Sequence, residues 1–131
     1  MSIKKADVTS FLKSYAAALS DGDLKAISSA WHTPSSVVDQ KGSIAVSEAK
    51  QVEDFFKHAV AAYHKSGTIA VKLESAEVTK LSNGVATATV KWRQIRSDGK
   101  KGQVDSSFYV ISKQGLLGKL GIDLASQVCR A

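Results

Sequence analysis

At 131 residues, with 44% apolar and 23% charged side chains, the chain has the size and composition of a soluble globular domain and not of a disordered or fibrous protein. No apolar run approaches the ~20 residues needed to cross a bilayer, and Asp7, Thr9, Ser10 and Lys13 interrupt the stretch where a signal peptide needs its apolar core. The formal charge of +6 favours anions, but no nucleic-acid motif or interleaved exposed aromatics accompany it, so nucleic acid is not the expected partner.

Val8, Phe11, Leu12, Tyr15 and Leu19 recur at helical spacing and predict an amphipathic helix over 5–20. Asp21-Gly22-Asp23 stops it, with Gly22 suited to a left-handed C-terminal residue. Leu24, Ile27 and Trp31 predict a short second helix over 23–32, capped by Asp21 or Asp23 and ended by Pro34. Short strands follow at 35–39 and 44–46, turned by Gln40-Lys41-Gly42. A third helix over 47–65 has Ser47 as N-cap and a broad apolar face of Val52, Phe55, Phe56, Ala59, Val60 and Tyr63.

At Gly67 the hydrophobic period changes from helical to alternating. Four strands are predicted, over 68–81, 85–96, 103–113 and 116–124, joined by turns at Asn83-Gly84, Asp98-Gly99 and Gln114-Gly115. The apolar phase of the first switches near Ser75, which predicts a β-bulge there. A helical half followed by a strand meander gives one α+β domain over 1–131, with three helices covering a strongly curved, mainly antiparallel sheet and a cavity between the layers.

Cys129 has no second cysteine to pair with and no Cys/His cluster has metal spacing, so neither a metal nor a cofactor is expected. A cytoplasmic location follows by default. Lys91, Arg93, Arg96, Lys100 and Lys101 concentrate charge on one predicted hairpin, as a solvated surface or a site for an anionic partner. His32 is placed at the end of the second helix, and His58 and His64 in solvent. Asp123 points away from Leu116, Leu120, Ile122 and Leu124, toward solvent or a partner. Gly115, Gly118 and Gly121 lack the setting of a phosphate loop and suit close packing or bulging.

The run from Tyr15 to Leu24, with Val38-Asp39-Gln40-Lys41-Gly42-Ser43 and Glu53-Asp54-Phe55-Phe56 downstream, resembles the NTF2-like superfamily, in particular its ketosteroid-isomerase-like and SnoaL-like branch. The resemblance implies a cone-shaped fold, a homodimer through the outer sheet face, and proton transfer beside a ketone by an Asp base, with Tyr and protonated Asp donors at the developing oxyanion. Carried across by position, Asp39 falls on the base and Tyr15 on the oxyanion donor. Alignment on Phe108 puts Ser106 where the family has its acidic donor, with Asp105 turned to the other face, and Phe56 replaces a supporting tyrosine. A serine donor is the weaker acid, and loss of one such donor costs ~100- to 1,000-fold in rate.

Tyr15 also fits as a core tyrosine and Asp39 as a residue capping its own turn. Trp31, Phe56, Val60, Val90, Trp92 and Phe108 are the expected walls of a cavity suited to a flat or apolar molecule. The expected function is binding of such a molecule, with weak isomerase- or cyclase-like proton transfer. The alternative is a non-catalytic dimerisation or protein-interaction module on the same fold. No membrane partner is expected.

Overall fold

The change of period at Gly67 becomes a change of layer. In the computed structural model, which describes residues 2–128, helix α1 spans Lys5–Asp21, α2 Leu24–Ser29 and α3 Ala49–Lys65. Strands β1 (Trp31–Asp39) and β2 (Gly42–Val46) lie between α2 and α3, and β3 (Thr68–Lys80), β4 (Val85–Arg96), β5 (Lys101–Gln114) and β6 (Lys119–Val128) follow. The six strands form one sheet in the order β2-β1-β6-β5-β4-β3. Every neighbouring pair is antiparallel except β1 with β6. This is a mixed α+β cone with helices packed on a six-stranded sheet.

Local chemistry explains most of the boundaries. Gly22 ends α1 in the left-handed conformation, φ 66°, and its N–H group donates back to the last turn. Asp23 caps α2 by accepting from the Ala26 N–H at 3.1 Å. The cap of α3 is Glu48 and not Ser47: Glu48 and Gln51 form a reciprocal capping box, and Gln51 Oε1 also accepts from the Ser47 N–H at 2.7 Å. The bulge expected near Ser75 is present as a register shift between Leu73 and Ser75.

Two expectations are corrected. The second helix stops at Ser29, and Trp31 opens β1 instead of closing a helix. The sheet captures this stretch: Ile122 N–H donates to the Ala30 carbonyl at 2.8 Å and Trp31 pairs with Ile122. The last strand begins at Lys119, because Leu116 and Leu117 form the tip of a turn closed by Gly115 and Gly118, both at positive φ.

The core lies between α1, α2 and the concave sheet face. Val8, Leu12, Ile27, Val90, Ile111 and Ile122 are its fully buried large side chains. Among the described residues no helix is long and apolar enough to cross a membrane. Cys129 lies outside the described residues.

Candidate functional site

A cavity of about 280 Å³ opens where α1 and α3 diverge over the concave face. α1 supplies Tyr15 and Leu19, and α3 supplies Phe55, Phe56, Ala59, Val60, Tyr63 and His64. The sheet contributes Trp31, Val37 and Asp39 from β1, Thr68 to Val71 from β3, Trp92 from β4, Asp105, Ser107 and Tyr109 from β5, and Ala125 and Ser126 from β6. Most of this lining is apolar or aromatic, with a few polar groups held in fixed positions.

Two indole–phenol pairs form its inner wall. Trp31 Nε1 donates to Tyr15 Oη at 3.0 Å, and Trp92 Nε1 donates to Tyr109 Oη at 3.1 Å. The two phenol rings meet edge to face, with centroids 6.4 Å apart. Burial pushes the Tyr15 hydroxyl well above the ordinary tyrosine value, repulsion from Tyr109 adds to this, and the Trp31 hydrogen bond opposes it. Tyr109 is raised chiefly by burial, against hydrogen bonds from Trp92 and Ser107. Both are therefore neutral phenols at physiological pH. Trp31 occupies one acceptor position of Tyr15, and the phenol's own proton meets no protein acceptor among the described residues.

The polar floor is a relay across strands. Thr68 Oγ1 donates to Gln94 Oε1 at 2.9 Å, and Gln94 Nε2 donates to Asp105 Oδ2 at 2.7 Å. Asp105 is buried there, facing the cavity.

Of the residues singled out from the sequence, Tyr15, Trp31, Asp39, Phe56, Val60 and Trp92 come together around this cavity. Asp39 stands at its rim, exposed, and its Oδ1 accepts from the Lys41 N–H at 2.7 Å. It thus caps its own turn while bordering the opening. Val90 is completely buried in the core beside the cavity and does not line it.

Ser106 and Phe108 are on the opposite sheet face, paired across β4 with Lys91 and Thr89. This reverses the expected phase of β5: Asp105, Ser107 and Tyr109 point inward. The cause is readable in the pattern. Val104, Phe108 and Val110 make the outward phase the more apolar one, while the inward phase includes an aspartate whose burial is made tolerable by Gln94. Tyr109, in the same inward phase, is a core and cavity residue. The sequence contained no signal for the two indole–phenol pairs, whose members are 16 and 17 residues apart.

A second polar cluster, on the outer face, was also missed. His32 Nδ1 lies 3.0 Å from Asp123 Oδ1 and 3.4 Å from Ser112 Oγ, and Gln114 Nε2 donates to Asp123 Oδ1 at 3.1 Å. The imidazole edge packs on Gly121, where an added Cβ would fall 2.5 Å from Nε2. Aspartate and serine share one ring nitrogen, so the arrangement cannot pass a proton from serine to histidine as a nucleophile triad does. Among the described residues no group of three or more His, Cys, Asp or Glu side chains could hold a metal ion.

Solved structures share the whole architecture at low identity. A protein of unknown function with a cystatin-like fold from Nostoc punctiforme superposes with a TM-score of 0.73 at 11% identity, over 97% of this chain and 93% of that one. An NTF2-like protein with a cystatin-like fold from Novosphingobium aromaticivorans gives 0.73 at 16% identity, over 94% and 79%. A nuclear transport factor 2 (NTF2-like) superfamily protein from Salmonella enterica gives 0.70 at 17% identity, over 97% and 91%. No curated protein matches the sequence. The sequence itself matches the family described as NTF2-like protein (DUF6841) over residues 5–115, and the chain belongs to that family.

Proposed function

We propose that this protein binds a small apolar or flat molecule carrying a hydrogen-bond acceptor, with the apolar part against α3 and the acceptor on Tyr15 Oη. The observation that carries this reading is the state of α3, whose apolar side borders the cavity while Val52 is its one buried residue. A helix patterned for burial but left half-open over a cavity suits a ligand that completes its packing. The resemblance to the ketosteroid-isomerase-like and SnoaL-like branch supports an acceptor of ketone type.

Proton transfer is a secondary activity in this reading, with Asp39 as base and Tyr15 as donor. Its rate is low: Asp39 is solvated and held by its own turn, Ser106 faces away, and Phe56 has no hydroxyl. Asp39→Asn should abolish isomerisation of an unsaturated ketone and leave binding of a fluorescent apolar probe intact. Unchanged turnover in that variant removes Asp39 as the base. Absence of probe binding in the wild type removes the ligand-binding reading itself.

A second reading, a dimerisation module without catalysis, draws on the outer sheet face. Phe108, Val110 and Leu124 lie there half-buried in adjoining strands. Phe108→Glu should shift the protein to monomer in sedimentation if two copies meet on that face. A wild-type monomer at high concentration defeats this reading.

A further inference from the structure

The strands run away from the cavity to an opposite end built from three segments. Ile3 N–H donates to the Asn83 carbonyl at 2.6 Å and Lys113 N–H to the Gly84 carbonyl at 2.9 Å. Lys113 Nζ reaches the Ser2 carbonyl at 3.5 Å. The N-terminal segment, the β3–β4 turn and the β5–β6 turn are thereby tied into one surface. At its tips Leu116 and Leu117 are 107% and 97% exposed, and Leu81 is 61% exposed. Lys4, Lys5, Lys80 and Lys119, all exposed, lie on the segments and strand ends that form this surface, with Asp7 and Glu77 the nearest acidic residues along α1 and β3.

From this juxtaposition we propose that the leucine-tipped, lysine-bearing end docks on an anionic lipid surface. Leu116 and Leu117 would enter the boundary between headgroups and acyl chains while the lysines meet the phosphates. Water gives no reason for two adjacent leucines to occupy a turn tip, and Lys119 follows the turn directly. A protein partner needs a broad complementary patch of roughly 1,000 Å², whereas narrow protruding tips suit a fluid phase that closes around them. The lysines supply the charge complementarity to an anionic leaflet. Among the described residues no helix is long and apolar enough to cross a bilayer, and docking on its surface requires none.

The test is sedimentation of the full chain with phosphatidylcholine vesicles and with mixed phosphatidylcholine–phosphatidylglycerol vesicles, after circular dichroism confirms the fold of each variant. The protein should partition to the mixed vesicles and much less to the neutral ones. Leu116→Ser with Leu117→Ser should weaken partitioning about 10- to 100-fold, and Lys119→Glu at least about five-fold. Lys100→Glu with Lys101→Glu, on the hairpin at the other end of the strands, should weaken it less than the leucine pair. Failure to bind mixed vesicles overturns the proposal. So does equal binding by the leucine variant, or an equal loss from the Lys100/Lys101 variant, since either would reduce the effect to net charge. A leucine variant that turns a wild-type dimer into a monomer, with no vesicle binding by either, assigns the surface to a second copy instead.

Discussion

Helices α1 and α3 have the same length, 17 residues, and opposite fates. α3 has the more sharply segregated apolar stripe, yet α1 buries Val8, Leu12, Tyr15, Ala16 and Ala18 while α3 buries Val52. On α3, Phe55 is 56% and Tyr63 38% exposed. α1 is clamped between the sheet and α2, and α3 roofs the cavity. An amphipathic pattern therefore tells which side of a helix avoids water, and not whether protein or an open cavity lies beneath it.

The largest expected effect tests that contrast directly. Leu12→Ala, at a fully buried position of α1, should lower unfolding stability by about 2–5 kcal/mol in urea titration. Phe55→Ala on α3 should cost less than about 1 kcal/mol and weaken binding of an apolar probe. Equal losses of stability would erase the distinction between the two helices.

Tyr15 is where the clamped helix meets the cavity, so its removal should register on both sides. Tyr15→Phe leaves the buried Trp31 N–H without its acceptor, a loss of about 1–3 kcal/mol at neutral pH. The native phenol also has a pKa raised by burial above the ordinary 10.0. Folding therefore holds the proton more tightly than the unfolded chain does. The resulting stabilisation is fully present below the ordinary value and is lost as pH rises from there through the raised native value. Stability measured across the alkaline range should fall less steeply in Tyr15→Phe than in wild type. An unchanged slope would mean that Tyr15 does not titrate differently in the two states.

The smallest effect on stability is expected from Val60→Phe, which places a ring in the cavity from the α3 side. Stability should change by less than about 1 kcal/mol, while probe binding should fall at least about ten-fold. Undiminished binding would show that the probe sits elsewhere.

The layered fold was legible because its signals are local: the period change at Gly67, the Gly22 stop and the phase switch at Ser75 each depend on a few neighbouring residues. The cavity was legible in part. Tyr15, Trp31, Phe56 and Trp92 lie on apolar faces of their own elements, although Trp31 reaches the cavity from a strand and not from a helix. The facing of β5 was misread because it rests on a compensation 11 residues away, the Gln94 amide that makes a buried Asp105 acceptable. His32 was misread for a related reason: its place depends on Asp123 and on the missing side chain of Gly121, both about 90 positions downstream. Polar groups settled by distant partners leave little trace in a period.

The parallel pairing of β1 with β6 has a consequence for the order of events during synthesis. β1 and β2 are translated in the first half of the chain, but their attachment to the rest of the sheet runs through β6, which is translated last of the six strands. Until residues 119–128 leave the ribosome, one edge of β1 has no strand beside it and the nascent chain presents open hydrogen-bonding groups to its surroundings. Closure of the sheet is then a long-range event with a high loop-closure cost, which slows folding and prolongs the interval in which the early hairpin is open to wrong partners.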